Sequence, residues 1–212
     1  MNRTLAIETA SAACSVALFE DGEILAHDHR EIGRGHAERL VPMIAAMPDT
    51  GRAARILVSL GPGSFTGVRI GIATARALGF AWGADVQGYP TLALIAAQAR
   101  ARIGAECPVS VCMNGGHGEW FFQNFAATGP EDSVRSLTPE AAKAACRHNL
   151  VAGNRAEELA ALFEGTKTPL SLLPDARATL LLPETQLTSN LAPIYGRGPD
   201  ATPQKVPAKQ AS

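Results

Sequence analysis

RILVSLGPGSFTGVRIGIATARALGFAW, residues 55–82, is the stretch on which the reading of the fold turns. Its first six residues form a short apolar run of strand length, the pattern of a buried strand. The loop GPGSFTG, residues 61–67, follows; its three glycines permit positive backbone angles. A long helix is then expected from Val68 to Trp82. A glycine-rich loop that feeds a helix N-terminus presents backbone N–H groups to an anion, and Ser64 and Thr66 would add hydroxyl donors. The alternative is a tight strand-to-helix turn. No lysine follows the glycines, so the loop is not a GxxxxGK[ST] phosphate loop.

Upstream, TLAIET from Thr4 is short and apolar, and ACSVALF sets Cys14, Val16 and Leu18 on one face at period two. Asp21-Gly22 is a tight hairpin turn before EILAHD, so the chain opens as an antiparallel three-stranded ribbon. A helix fits His36 to Met47, with Leu40, Ile44 and Met47 along one stripe; Pro42 must kink or break it, since proline cannot donate to the carbonyl of Glu38. Downstream, a short strand at Val86 to Gly88 leads through Pro90 into a helix from Thr91 to Arg102. The first hundred residues therefore read βββαβαβα, an α/β lobe whose mixed sheet carries packed helices.

From about residue 103 the pattern restarts in weaker form. VSVCM is a strand, NGGHG a turn and EWFFQNF its hairpin partner. Thr138, Pro139 and Glu140 supply an N-cap, a first helical residue and a first-turn acid for a helix to about His148. LVAG repeats the strand-then-glycine pattern of LVSLG, and Ala156 to Phe163 suits another helix. The expected organisation is a lobe over 1–102, a degenerate copy over 103–192, and a proline-punctuated polar tail over 193–212, extended or disordered.

The 212 residues carry 19 basic and 20 acidic side chains, a balance that argues against coating nucleic acid or an anionic membrane by bulk charge. At 46% hydrophobic and 18% charged, the chain is not disordered as a whole. Its 20 glycines and 14 prolines imply many turns without low complexity. Cys14, Cys107, Cys112 and Cys146 show no CxxC pairing and read as thiols of a reducing compartment. Glu8 interrupts the apolar start before a signal-peptide core can form, and the charge-free run Val86 to Ala99 is too short to span a bilayer. A cytoplasmic location without a membrane contact is expected.

Within the long helix, Gly71, Ala75 and Gly79 recur every four residues and share one face. A stripe without bulk lets another backbone approach, either the protein's own sheet or a partner helix. Arg69, a cation read as lying in the first turn, opposes the helix dipole and so needs another partner. Glu8 at the end of the first strand, with Thr9 and Ser11, could position a magnesium-bound phosphate; a lone acid there is otherwise a turn group. The five histidines give an i, i+2 pair at His27 and His29 but no HxxxH or HExxH, so no metal site is expected. No GxSxG elbow accompanies a matching acid and base.

LAIETASAACSVALFEDGEI, GRGHAERLVPMI, SLGPGSFTGVRIGIATARALGFAWGADVQGYPTLALIA and the late APIYGRGPDATPQ together resemble the TsaB (YeaZ) family of bacterial tRNA threonylcarbamoyladenosine proteins. The match is ordered over residues 1 to about 100 and looser beyond. The resemblance implies an actin-like, sugar-kinase and Hsp70-related (ASKHA) two-lobed fold. It also implies a noncatalytic scaffold that binds and activates a catalytic paralogue, TsaD, with an ATPase, TsaE, joining the assembly. Where TsaD-like proteins carry their metal-binding HxxxH, this chain has Gly88 and Leu92.

The resemblance places the partner interface on two helices that pair with TsaD, or with a second copy when TsaD is absent, as a four-helix bundle. The residues so implicated are His36, Leu40, Met43, Ile44 and Met47 on one helix, and Arg69, Gly71, Ile72, Ala75, Arg76 and Gly79 on the other. On that reading Ala75→Trp would block the partner by bulk and leave the fold intact. No cofactor is expected to be held firmly by this chain, ATP or ADP with magnesium entering at the level of the complex and tRNA only through it. An independent ATPase or kinase is the competing reading, with Glu8, Thr9, Ser11, Gly61, Gly63 and Ser64 around the nucleotide. A peptidase reading lacks both metal ligands and a nucleophile with its base. The chain departs from the family at Glu8, where an aspartate is usual. It departs again at Asn114, Gly115 and Gly116, in place of a charged motif of which Glu119 remains, and at Tyr195, Gly196 and Arg197. Those changes bear on whether the second lobe still docks TsaE.

Overall fold

The computed structural model describes residues 3–104 and 106–196. Strand β1 (Arg3–Glu8) pairs antiparallel with β2 (Ala13–Glu20), and β2 with β3 (Glu23–Glu31). Asp21 and Gly22 turn the second hairpin, both at positive φ (51° and 90°), the geometry that matches a twisted two-residue hairpin turn. Strands β4 (Arg55–Ser59) and β5 (Asp85–Tyr89) join parallel on the other side of β1, giving the order β3-β2-β1-β4-β5. Parallel strands need helical crossovers, which cover the sheet on both faces. Thus Cys14, Val16 and Leu18 pack with the helices α1 (His36–Ala45) and α2 (Phe65–Trp82), as their period predicts, while Ala17 and Phe19 are buried against α3 (Thr91–Ile103) on the opposite face.

Two boundaries differ from the sequence reading, and the break expected at Pro42 is absent. Helix α1 ends at Ala45, before Met47, and runs through Pro42 without a break. Helix α2 begins three residues before Val68: Ser64 is its N-cap, its Oγ accepting from the Gly67 N–H at 3.2 Å, so Gly67 belongs to the helix and not to the loop. Arg69 consequently lies one turn inside the helix, and the dipole argument for it falls away.

The glycines of this segment serve close approach. A β-carbon on Gly63 or on Gly67 would overlap the carbonyl oxygen of Ala10 or of Thr9, and one on Gly71 would sit 2.5 Å from Thr9 Oγ1. Two hydrogen bonds hold the contact: Ser64 N–H donates to the Ala10 carbonyl at 2.7 Å and Thr9 Oγ1 to the Gly67 carbonyl at 2.8 Å. Farther along, Gly79 packs on the Val86 side chain and Ala75 is fully buried. The small-residue stripe is the seam between α2 and the protein's own sheet.

The second sheet repeats the first in shortened form. Strands β6 (Val109–Gly116) and β7 (Glu119–Ala126) form its hairpin, and β8 (Gly129–Pro130) and β9 (Arg135–Leu137) both pair with β7. Strands β10 (Leu150–Ala152) and β11 (Thr168–Leu170) add in parallel beyond β6, as β4 and β5 do beyond β1. Helix α4 (Pro139–Ala145) has the expected Thr138 cap and ends before His148; α5 (Ala156–Ala161) stops short of Phe163.

Residues 176–192, expected in the second lobe, return to the first. Ser15 Oγ accepts from the Ala176 N–H at 3.0 Å, Thr188 exchanges backbone bonds with Gly88, and Leu191 enters the first lobe's core. Of the expected tail, residues 193–196 pack on the glycine loop, the Ile194 N–H donating to the Leu60 carbonyl at 2.8 Å. The remainder, from Arg197 on, lies outside the described residues.

Because the atom that meets a β-carbon at position 67 is backbone, nothing flexible can move aside. Gly67→Ala is expected to cost at least about 2 kcal/mol in urea unfolding, whereas Ala73→Ser on the exposed side of α2 should fall within about 0.5 kcal/mol of wild type.

Candidate functional site

The two lobes face each other across a cleft of about 940 Å³. Its first-lobe wall is the β1–β2 turn and the start of α2, including Ser11, Gly63, Ser64, Phe65 and Arg69. The opposite wall comes from the β6–β7 hairpin and the loop after β10, with Met113, Asn114, His117 and Asn154; the segment 193–196 closes one side. Asn154 Oδ1 accepts from the Asn114 N–H at 2.9 Å, and the Glu119 carboxylate accepts from Ser136 Oγ at 2.6 Å. The stretch Asn114-Gly115-Gly116, read from the sequence as a departure from a charged motif, gives this wall the Asn114 amide and two glycines.

At the mouth, Arg69 lies over the Phe65 ring, its guanidinium carbon 3.3 Å from the centroid, and donates to the Tyr195 hydroxyl at 2.5 Å. Phe65 is 66% exposed and Tyr195 54%. Among the described residues no carboxylate pairs with Arg69, and none lines the cleft. The sequence reading singled out Arg69 but passed over Phe65, which stands in a loop read for its glycines and for the hydroxyls of Ser64 and Thr66.

The six positions expected around a nucleotide separate into two groups. Ser11, Gly63 and Ser64 line the cleft; Glu8, Thr9 and Gly61 lie behind its wall. Glu8 is wholly buried, its Oε1 accepting from the Ala10 N–H at 2.6 Å and its Oε2 lying 3.4 Å from the Tyr89 hydroxyl, which donates to the Ile7 carbonyl at 2.9 Å. Burial pushes its carboxyl up to about 7, only partly offset by bonds from Ala10, Ser59 and Tyr89. The same burial, with Glu8 nearby, raises the Tyr89 phenol. A carboxyl that is half protonated near neutrality and screened by the turn is poorly suited to hold magnesium in the cleft.

The residues expected to form a partner face lie for the most part in the core. His36, Leu40, Met43, Ile44 and Met47 of the α1 region are buried in the first lobe's core, as are Gly71, Ile72, Ala75 and Gly79 of α2. Arg69 and Arg76 alone among those eleven are exposed. Ala75→Trp would therefore break the core and report nothing about a partner. Both helices cover the same face of the sheet. Their outward sides carry Val41, Pro42 and Ala45 on α1 and Ala73, Ala77 and Phe80 on α2, Val41 being 54% and Phe80 94% exposed. At the positions where a metal-binding HxxxH was sought, Leu92 is core and a β-carbon on Gly88 would sit 2.5 Å from the Leu60 side chain.

Two lobes of like topology, each a five-strand path of an antiparallel three-strand meander extended by two parallel strands, closing on a cleft, define the actin-like, sugar-kinase and Hsp70-related fold class. The family model described as TsaD, tRNA N6-adenosine threonylcarbamoyltransferase, matches residues 28–134. The chain is 42% identical over 110 residues to the TsaB tRNA threonylcarbamoyladenosine biosynthesis protein of Escherichia coli, a match over 49% of this chain and 46% of that one. It therefore spans less than half the length of that relative. An uncharacterized protein of Mycobacterium tuberculosis is 30% identical over 217 residues, 97% of each chain. The solved YeaZ of Pseudomonas aeruginosa superposes with a TM-score of 0.74 at 26% identity, covering 92% of this chain and all of that one; a second P. aeruginosa structure, described as similar to peptidase YeaZ, gives 0.76 at 28%, covering 93% and 100%. The chain belongs to the TsaB (YeaZ) family of tRNA threonylcarbamoyladenosine biosynthesis proteins. Among the described residues no helix is long and apolar enough to cross a membrane.

The elevated Glu8 carboxyl has a signed consequence. An acid that ionises at about 7 when folded and 4.5 when free holds its proton better in the folded chain. Its stabilising contribution is full below about 4.5, is lost as pH rises through about 7 and is level beyond. Glu8→Gln keeps an acceptor for Ala10 and removes the titration. Denaturant unfolding across this window should show wild type losing up to about 3 kcal/mol relative to the variant; a difference independent of pH would contradict the assignment.

Proposed function

We propose that this chain is a noncatalytic subunit of the machinery that forms threonylcarbamoyladenosine in tRNA, binding and supporting the catalytic paralogue TsaD. The observation that carries this reading is the apolar side of α1 and α2 that stays exposed among the described residues, with Phe80 almost fully exposed at one end. Contiguous exposed apolar residues on two neighbouring helices mark a protein contact, and helices so placed pack on a second pair by interdigitating small and large side chains. Val41, Ala45, Ala73, Ala77 and Phe80 form this contact in our reading, with Arg69 and Arg76 at its border. The same side would serve a homodimer when TsaD is absent, since one apolar face satisfies either partner. TsaE, ATP or ADP with magnesium, and tRNA enter at the level of the assembly.

A free-standing ATPase or kinase has less support from this geometry. Its acid, Glu8, is behind the wall, and the Gly63–Ala10 contact fills the space next to it.

The test is nucleoside mass spectrometry of tRNA from cells depleted of the protein. Loss of threonylcarbamoyladenosine is expected, restored by the wild-type gene and not by Ala77→Trp. The variant's unfolding free energy should stay within about 0.5 kcal/mol of wild type, since position 77 is exposed. An unchanged nucleoside level on depletion would overturn the proposal.

A further inference from the structure

The mouth of the interlobe cleft holds a group of side chains that the proposed helix contact reaches only at Arg69. Phe65 and Tyr195 have ring centroids 6.3 Å apart at an interplanar angle of 31°, and the guanidinium carbon of Arg69 lies beside the pair, 3.3 Å from the Phe65 centroid and 5.5 Å from that of Tyr195. Exposing two aromatic rings to water is unfavourable, and Phe65 remains two-thirds exposed although the guanidinium covers part of it. Arg69 spends its bonds on the Tyr195 hydroxyl and the Phe65 carbonyl, and no carboxylate among the described residues neutralises it. Behind this group the cleft is wide enough for a small ligand and free of acidic side chains, with Ser11, Ser64, Asn114, Asn154 and His117 as hydrogen-bonding groups.

We infer that Phe65, Arg69 and Tyr195 form a stacking platform for one unpaired nucleotide of tRNA, its base on the aromatic rings and its phosphate on Arg69. The inference rests on the proposed role in tRNA modification and adds to it a direct contact between this chain and the RNA. Unstacked bases of single-stranded loops are recognised by stacking on aromatic side chains and guanidinium planes, with amides and hydroxyls reading their edges. The near-zero net charge of the chain is no obstacle, because one stacked nucleotide needs a single local cation and not a basic surface. The absence of acids from the lining is the electrostatic complement of a phosphate.

The experiment is photocrosslinking of 4-thiouridine-substituted tRNA to the full chain mixed with TsaD, followed by peptide mapping and by tRNA affinity measurements. Adducts are expected on the peptides that carry Phe65 and Tyr195. The double variant Phe65→Leu, Tyr195→Leu should bind tRNA about tenfold more weakly, and Phe65→Trp with Tyr195→Phe should restore binding, with assembly unchanged by sedimentation throughout. Three results would overturn the platform: adducts only elsewhere, undiminished affinity in the leucine variant, or weakened binding that tracks a loss of TsaD assembly, which would assign the rings to a protein contact. Competition of the adducts by free ATP but not by unlabelled tRNA would overturn it in favour of a mononucleotide site. Failure of the wider reading looks different: depletion then leaves tRNA nucleosides unchanged whether or not the adducts form.

Discussion

The carbonyl oxygens of Thr9 and Ala10 occupy the space that β-carbons on Gly67 and Gly63 would need, and the first lobe is organised around that approach. The turn between β1 and β2 is pulled onto the start of α2 by the Ser64-to-Ala10 and Thr9-to-Gly67 hydrogen bonds. Gly71, Ala75 and Gly79 continue the seam along the helix. Once α2 is seated on this side, its other side must face away from the sheet, and the apolar residues Ala73, Ala77 and Phe80 there are exposed among the described residues. The same seam buries Glu8 beneath the turn and leaves Phe65 and Arg69 at the cleft mouth. The outward apolar side of α2, the buried acid and the cleft rim are thus consequences of one close backbone contact.

The first lobe was legible because its signals are local. Period-two alternation in β2, the Asp21-Gly22 turn and the strand-loop-helix at 55–82 each speak for a few neighbouring residues, and together they impose βββαβαβα. The start of α2 was misplaced because Gly67 reads as a loop glycine, and only the Ser64 cap and the contact with Thr9 show that it is helical. The faces of α2 could not be told apart from periodicity: glycine and alanine line its buried side, while alanine and phenylalanine appear on its exposed side. A small-residue stripe permits close packing without saying against what.

The second lobe and the return of the chain were less legible for a different reason. Strands β8 to β11 are two or three residues long, too short for a period to register. The segment 176–196 is bound to the first lobe by separate contacts, Ser15 with Ala176, Gly88 with Thr188 and Leu60 with Ile194, each between residues far apart in sequence. No composition signal marks such pairings. They nonetheless matter for the site, because they bring Tyr195 to Arg69 and complete the cleft wall.

In the proposed assembly, the sides of α1 and α2 turned away from the sheet receive the catalytic paralogue. A photoreactive amino acid placed at Ala77 on α2 and, in a parallel protein, at Ala141 on α4 tests it directly, since both positions are exposed and neither is in the core. With TsaD present, a crosslink to TsaD is expected from position 77 and none from position 141. A crosslink from position 141 alone would contradict it and move the contact to the second lobe.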